Sequence, residues 1–289
     1  MPNDKASKTN SWIDLAPNHK LGLVVANPIL LGAGAIGYGE AVPRGLDLTK
    51  LGAAVVGPVL SASRGGTQPP RLAHANGGIV LDTGLQNRGV NNAIQQYGKL
   101  WEKLGCPVIV QVVESHPASL AKIAGKLAQL RGVQGVELLP VDPAGEIDGA
   151  KLATLVRTAD RACELPVWVK LPLTKAAALA PAACEAGAVG LVVGQPPSGT
   201  ALRTANGATH PITGALYGPF VFPQMLQVLL QIASLHLPAA LIACGGIHTL
   251  EQVQQALAAG AQAVQIDSAV WVEPGLPGRL AAVLSGSLR

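Results

Sequence analysis

Eight short apolar runs punctuate this chain, and stretches with helical spacing separate them. The runs are NPILLGAG (27–34), AAVVGPV (53–59), PVIVQVV (107–113), GVELLPV (135–141), PVWVKLPL (166–173), AVGLVVG (188–194), AALIACGG (239–246) and AQAVQID (261–267). Continuous runs of Val, Ile and Leu are what a parallel strand needs when both its faces are buried. Helices are expected near 46–51, 89–104, 116–131, 149–163, 174–186, 219–235, 249–260 and 276–285. The segment 120–130 places apolar residues three and four apart, which gives one buried face. The segment 249–260 opens on Thr249 as an N-cap candidate and stops at Gly260. Strand and helix alternating eight times predict a single closed (β/α)8 TIM barrel, with an open doubly wound sheet as the lesser alternative. The length of 289 residues suits that barrel, which takes roughly 250.

Composition narrows the partners. Hydrophobic residues make up 49% of the chain and charged residues 13%, so core material is ample and the charged surface sparse. That balance predicts burial against other subunits, as a homodimer or higher homo-oligomer. The net charge of +4 is scattered, and no Lys/Arg cluster interleaves with aromatics, so nucleic acid is not an expected partner. Four cysteines, Cys106, Cys163, Cys184 and Cys244, lie far apart with no CxxC spacing. They predict neither a metal site nor a disulfide framework, and fit a reduced cytoplasmic setting. No apolar stretch reaches transmembrane length, so no membrane is expected. Residues 1–19 read as a polar tail and 20–289 as the barrel domain. Two stretches are too long for simple βα loops: 61–87, after strand two, reads as an excursion with a small hairpin, and 195–218, after strand six, as a mobile lid.

Chemistry in such a barrel belongs at the C-terminal ends of the strands. There the chain resembles the class 1 dihydroorotate dehydrogenases, nearest their heteromeric branch. Four phrases carry the resemblance: ANPILLGAGAIGYG (26–39), SRGGTQPPRLAHANGGIVLDTGLQNRGV (63–90), GALYGPFVFPQMLQVL (214–229) and IACGGIHTLEQVQQALAAGAQAVQIDSAVW (242–271). The match runs in order from 21 to 279. It implies FMN over the strand ends, with Gly34, Lys170, Gly214, Gly218, Gly245, Gly246 and Ser268 as cofactor-binding residues. It also implies a small-molecule substrate and an electron-transfer flavoprotein subunit that takes the electrons. Independently of any family, Gly245–Gly246 lets backbone approach a ligand, and the helix opening at His248–Thr249 suits a dianionic phosphate. A plain tight turn is the alternative there. The family has a lysine near the flavin where Lys170 stands, and a cation there stabilises negative charge on the reduced ring. The alternative is a solvent-facing lysine, which its apolar neighbours disfavour.

Other positions depart from the family. Asparagines that read the pyrimidine align with Leu81, Leu139, Ala144 and Gly194, none of which can exchange hydrogen bonds through its side chain. The Cys or Ser that serves as catalytic base aligns with Asp142, which could act as a base if burial raised its pKa, or could simply make an Asx-turn before Pro143. A second cofactor-contacting lysine aligns with Gly57, and a Gly-Thr at the phosphate with Asp267–Ser268. The first expectation is an FMN-dependent oxidoreductase acting on a substrate other than dihydroorotate, with Asp142 and Lys170 in catalytic roles. The second is a diverged, non-redox ligand-binding or assembly subunit. The third is an aldolase-like barrel with Lys170 as a Schiff-base lysine.

Overall fold

A computed structural model of the chain describes residues 12–141, 147–205 and 207–287. All eight apolar runs form strands: β1 (Ile29–Leu31), β2 (Ala53–Val59), β3 (Val108–Val113), β4 (Gly135–Leu139), β5 (Val167–Pro172), β6 (Gly190–Gln195), β7 (Ala240–Cys244) and β8 (Ala263–Ile266). They pair in parallel, each with its neighbours in sequence, and β8 returns to β1 through Val264↔Ile29 to close the barrel. Closure leaves the barrel sheet itself without edge strands. The outer ring comprises α1 (Val90–Trp101), α2 (Pro117–Leu127), α3 (Gly149–Ala162), α4 (Ala176–Glu185), α5 (Phe222–Ala233), α6 (Leu250–Ala258), the short α7 (Ala269–Val272) and α8 (Leu276–Ser287). Helix α6 starts with a full capping box, in which Thr249 Oγ1 accepts from Gln252 N and the Gln252 side chain accepts from Thr249 N.

Three expectations change. The segment 46–51 holds only a 3-10 turn at Leu48–Lys50. The chain must turn back at once into β2, and Gly52 N donates to Ile29 O while a Cβ on Gly52 would stand 2.3 Å from Asn27 O. The stretch 195–218 is paired β structure rather than an open loop. Ser198–Ala205 and Ala208–Tyr217 form an antiparallel pair, joined through Gly78–Leu81 to Leu72–Ala75 in a four-stranded sheet above the barrel. Facing β-branched threonines supply the reason: Thr200 lies opposite Thr213 and Thr204 opposite Thr209, and both hydroxyl pairs are hydrogen-bonded. Within the expected polar tail, Ile13–Asp14 pairs with Val24–Val25, and Leu15 and Ala16 are fully buried.

That hairpin closes the N-terminal end of the barrel. Trp168 on β5 donates its indole N–H to Leu15 O at 2.9 Å, and packs in one interior cluster with Leu15, Leu30, Val55, Ile109 and Ile242. Its ring crosses the barrel floor only because two flanking strands begin with glycine. A Cβ on Gly135 would stand 2.2 Å from Trp168 Cζ3, and one on Gly190 would stand 2.4 Å from Trp168 Cδ1. Gly190→Ala is therefore expected to lower unfolding free energy by about 1–3 kcal/mol through overpacking. Urea denaturation measures this, and an unchanged midpoint would show that the ring yields freely.

Candidate active site

Alternate residues of a barrel strand point inward, and above the Trp168 layer five of these are polar or polarisable: Gln111, Glu137, Lys170, Cys244 and Gln265. The first three and Gln265 are all at most 5% exposed. They form one network. Lys170 Nζ donates to Gln265 Oε1 at 2.9 Å and lies 3.7 Å from Glu137 Oε1. Gln265 Nε2 donates to Glu137 Oε2 at 2.5 Å, and Gln111 Nε2 donates to Glu137 Oε1 at 2.7 Å. Both carboxylate oxygens of Glu137 are thus satisfied, which a buried ion pair requires. Burial works against the Lys170 charge, but Cys244, Glu137 and Asp267 together outweigh it and raise its pKa. Lys170 is a fixed cation, unlike the low-pKa amine that Schiff-base chemistry needs.

Above this layer a cleft opens at the C-terminal ends of β6, β7 and β8. Gly194, Tyr217, Gly218, Cys244, Gly245, Gly246, Gln265, Asp267 and Ser268 are among the residues that line it. Gly246 has φ +70°, and a Cβ there would stand 2.3 Å from Phe222 N, so only glycine lets the turn after β7 pass under α5. Gly194 interrupts the β5–β6 register with φ +142°, and a Cβ on it would lie 1.5 Å from Cys244 O. The Tyr217 ring closes one side and rests on Trp271 with centroids 5.3 Å apart. Burial raises the pKa of Tyr217, and Asp267 adds to the effect, so its phenol keeps its proton. Asp267 Oδ1 is shielded from solvent and has no hydrogen-bond partner, as is His248 Nε2 after β7. Burial pushes the Asp267 carboxyl up to about 6, with Lys170 opposing the shift and Glu137 adding to it.

Of the residues singled out from sequence, Gly218, Gly245, Gly246 and Ser268 meet in this cleft. Lys170 lies beneath it, behind Gln265. Gly34 and Gly214 are not among the lining residues. Gly214 pairs with Gly199 in the excursion sheet, and the space where its Cβ would go is taken by Leu81 O. Asp142 and Ala144 fall outside the described residues. The amides of His248 and Thr249, expected to face a phosphate, both donate to Gln252 Oε1 instead. Gln111, Glu137 and Gln265 escaped the sequence reading. Their signal was present as single polar residues in phase with Lys170 inside apolar strands: VIVQVV, GVELL, VWVKLP and AVQI.

A closed parallel barrel with a glycine-lined cleft and a buried cation at its strand ends is the architecture of a barrel enzyme that works at its C-terminal face. Comparison with known proteins narrows the class. The family profile described as dihydroorotate dehydrogenase matches residues 17–284. A protein of Desulforudis audaxviator named dihydroorotate dehydrogenase B (NAD(+)), catalytic subunit, is 32% identical over 275 residues, covering 91% of this chain and 89% of that one. The like-named protein of Pelobacter propionicus is 31% identical over 264 residues, covering 88% and 86%. In fold, the chain is similar to the dihydroorotate dehydrogenase of Eimeria tenella in complex with ferulenol, with TM-score 0.77 and 17% identity over 98% of this chain and 85% of that one. The chain belongs to the class 1 dihydroorotate dehydrogenase family, whose cofactor is FMN.

The chemistry of the cleft fits the uncharged part of that cofactor. Asp267 Oδ1 is an acceptor in want of a donor, and FMN carries hydroxyls on its ribityl chain. The glycine turn leaves backbone accessible, and the Lys170 charge lies just below. The space is tighter. Between the side chains as they stand the cavity is about 20 Å³, room for about one water.

Replacing Lys170 by Met is expected to destabilise the fold by about 3–5 kcal/mol, because Glu137 is left buried and unpaired. Adding Glu137→Gln should recover most of that loss. Chemical denaturation of both single variants and the double variant measures the coupling, and additive losses would refute it.

Proposed function

We propose that this chain is an FMN-dependent oxidoreductase of the dihydroorotate dehydrogenase type that acts on a small molecule other than dihydroorotate. The observation that carries the substrate reading is Gly194. The family's asparagine there cannot be accommodated, because even a Cβ would collide with Cys244 O. Two further reading positions hold Leu81, half-buried in the excursion sheet, and Leu139, which is 8% exposed at the end of β4. A pyrimidine carboxylate and its amide groups entering this site would give up water without gaining these partners, at a cost of about 1–3 kcal/mol for each group left unpaired.

Bound FMN would supply hydride transfer to or from a substrate carbon. The chain's own residues account for the rest of the reading. The backbone at Gly218, Gly245, Gly246 and Ser268 would hold the cofactor. Lys170, locked by Gln265 and Glu137, keeps one positive charge under the strand ends at no cost of rearrangement during reaction. Asp142, which follows β4 in the sequence, is the candidate to move the substrate proton. The names of the relatives, catalytic subunits of an NAD(+)-linked B-type enzyme, support a companion subunit that exchanges the electrons.

The second reading, a barrel that binds or assembles without redox chemistry, is favoured by the nearly filled cleft. One set of spectra separates them. After incubation with FMN and desalting, the purified chain should retain a visible flavin band that dithionite bleaches and an oxidant restores. Dihydroorotate, added anaerobically, should bleach it at least about a hundredfold more slowly than it bleaches a B-type relative, which follows from losing two or more hydrogen bonds. A chain that takes up no flavin would defeat the oxidoreductase reading. Rapid bleaching by dihydroorotate would defeat the substrate reading alone.

A further inference from the structure

We propose that Asp267 decides which form of flavin this cleft holds: its buried, unpaired carboxylate opposes the doubly charged phosphate of FMN and accepts a hydrogen bond from an uncharged hydroxyl. The inference rests on the flavin reading above and names the residue that sets the cofactor preference within it.

Asp267 follows β8 and lines the same cleft as Ser268 and the Gly245–Gly246 turn. Its Oδ1 meets neither solvent nor donor. Among the described residues, the cation facing it, Lys170 on β5, has its ammonium committed to Gln265 and Glu137. Glu137 on β4 adds a second negative charge to the surroundings. Cys244 on β7 stays a thiol, pushed up to about 11 by burial, and Tyr217 from the excursion hairpin stays a phenol. Burial lowers the pKa of His248, so it brings no positive charge near neutrality. At the end of β1, Gly32 packs against Asp267 Cβ and contributes no charge. Among the described residues, the two carboxylates stand against one ammonium, an excess of one negative charge.

A phosphate dianion entering beside that carboxylate meets repulsion in a space with room for little water, where charges are screened weakly. A hydroxyl donor meets the opposite: it satisfies an acceptor that is otherwise desolvated and unpaired. The two flavins that differ in this one respect are FMN, which carries the phosphate, and riboflavin, which ends in a hydroxyl. Acid relieves the repulsion from both sides. Asp267 takes up its proton near pH 6, and a phosphate monoester loses its second charge at about the same pH. FMN affinity therefore rises as pH falls through about 6, while riboflavin, whose hydroxyl loses a charged acceptor, gains nothing.

The test is a fluorescence-quenching titration of the full chain with FMN and with riboflavin, at pH 8 and pH 5.5, in wild type and Asp267→Asn. At pH 8 the ratio of Kd for FMN to Kd for riboflavin should be at least about tenfold higher in wild type than in the variant, the size expected for one unit charge at partly screened range. In wild type that ratio should fall with acid more steeply than in the variant. Asp267→Ser, smaller and equally uncharged, serves if the asparagine variant does not fold. Equal ratios in wild type and variant at pH 8 overturn the proposal while leaving the flavin reading intact. Failure of every protein to quench either flavin removes the flavin reading, and this inference with it.

Discussion

The interior of this barrel is organised around one buried ion pair. Glu137 and Lys170 lie across the middle of an otherwise apolar tube, and two glutamines complete their hydrogen bonds. Below them the tube is filled by Trp168 and aliphatic side chains such as Leu30, Ile109 and Ile242; above them it opens into the cleft. A pair of this kind contributes little net stability when compared with a well-packed apolar core, because desolvating two charges offsets their attraction. What it provides is placement. Four strands, β3, β4, β5 and β8, each contribute one member, so the position of the ammonium is tied to the registers of all four. The cation beneath the cleft is held by the barrel itself rather than by a loop.

Most of the architecture was legible in sequence because its cause is local and repeated. Each strand is a run of apolar residues between turn formers, and a parallel strand buried on both faces needs nothing subtler. The capping box at Thr249 and Gln252 was half-visible for the same reason. The errors share a different cause. At 46–51 the helical spacing was adequate, but the chain had too little length between Gly45 and Gly52 to use it. At 195–218 a composition of Gly, Ser and Thr resembled a mobile loop, whereas the threonines were spaced to face one another across a hairpin.

The site was legible only in part. Glycines show themselves through the turns they permit, and Gly218, Gly245 and Gly246 do meet in the cleft. Gly34 and Gly214 carry the same letter and lie elsewhere, because sequence does not say which way a turn faces. The polar network was hidden for a simpler reason. One glutamine in VIVQVV or AVQI looks like noise until eight strands are arranged in a ring and the inward positions coincide. Asp267 is the residue whose meaning changed most. As a letter it was a departure from a family pattern; in the structure it is a carboxylate with an empty bond and a negative neighbour.

Gly194 carries a consequence for how two strands of the barrel depend on each other. A glycine is ordinarily replaceable where there is room beside it. Here the strand bends at Gly194 so that the carbonyl of Cys244 occupies the place a Cβ would need. Any side chain at this position would first require the end of β6 to be rebuilt against β7, so the two strand ends are locked to one another at their present spacing.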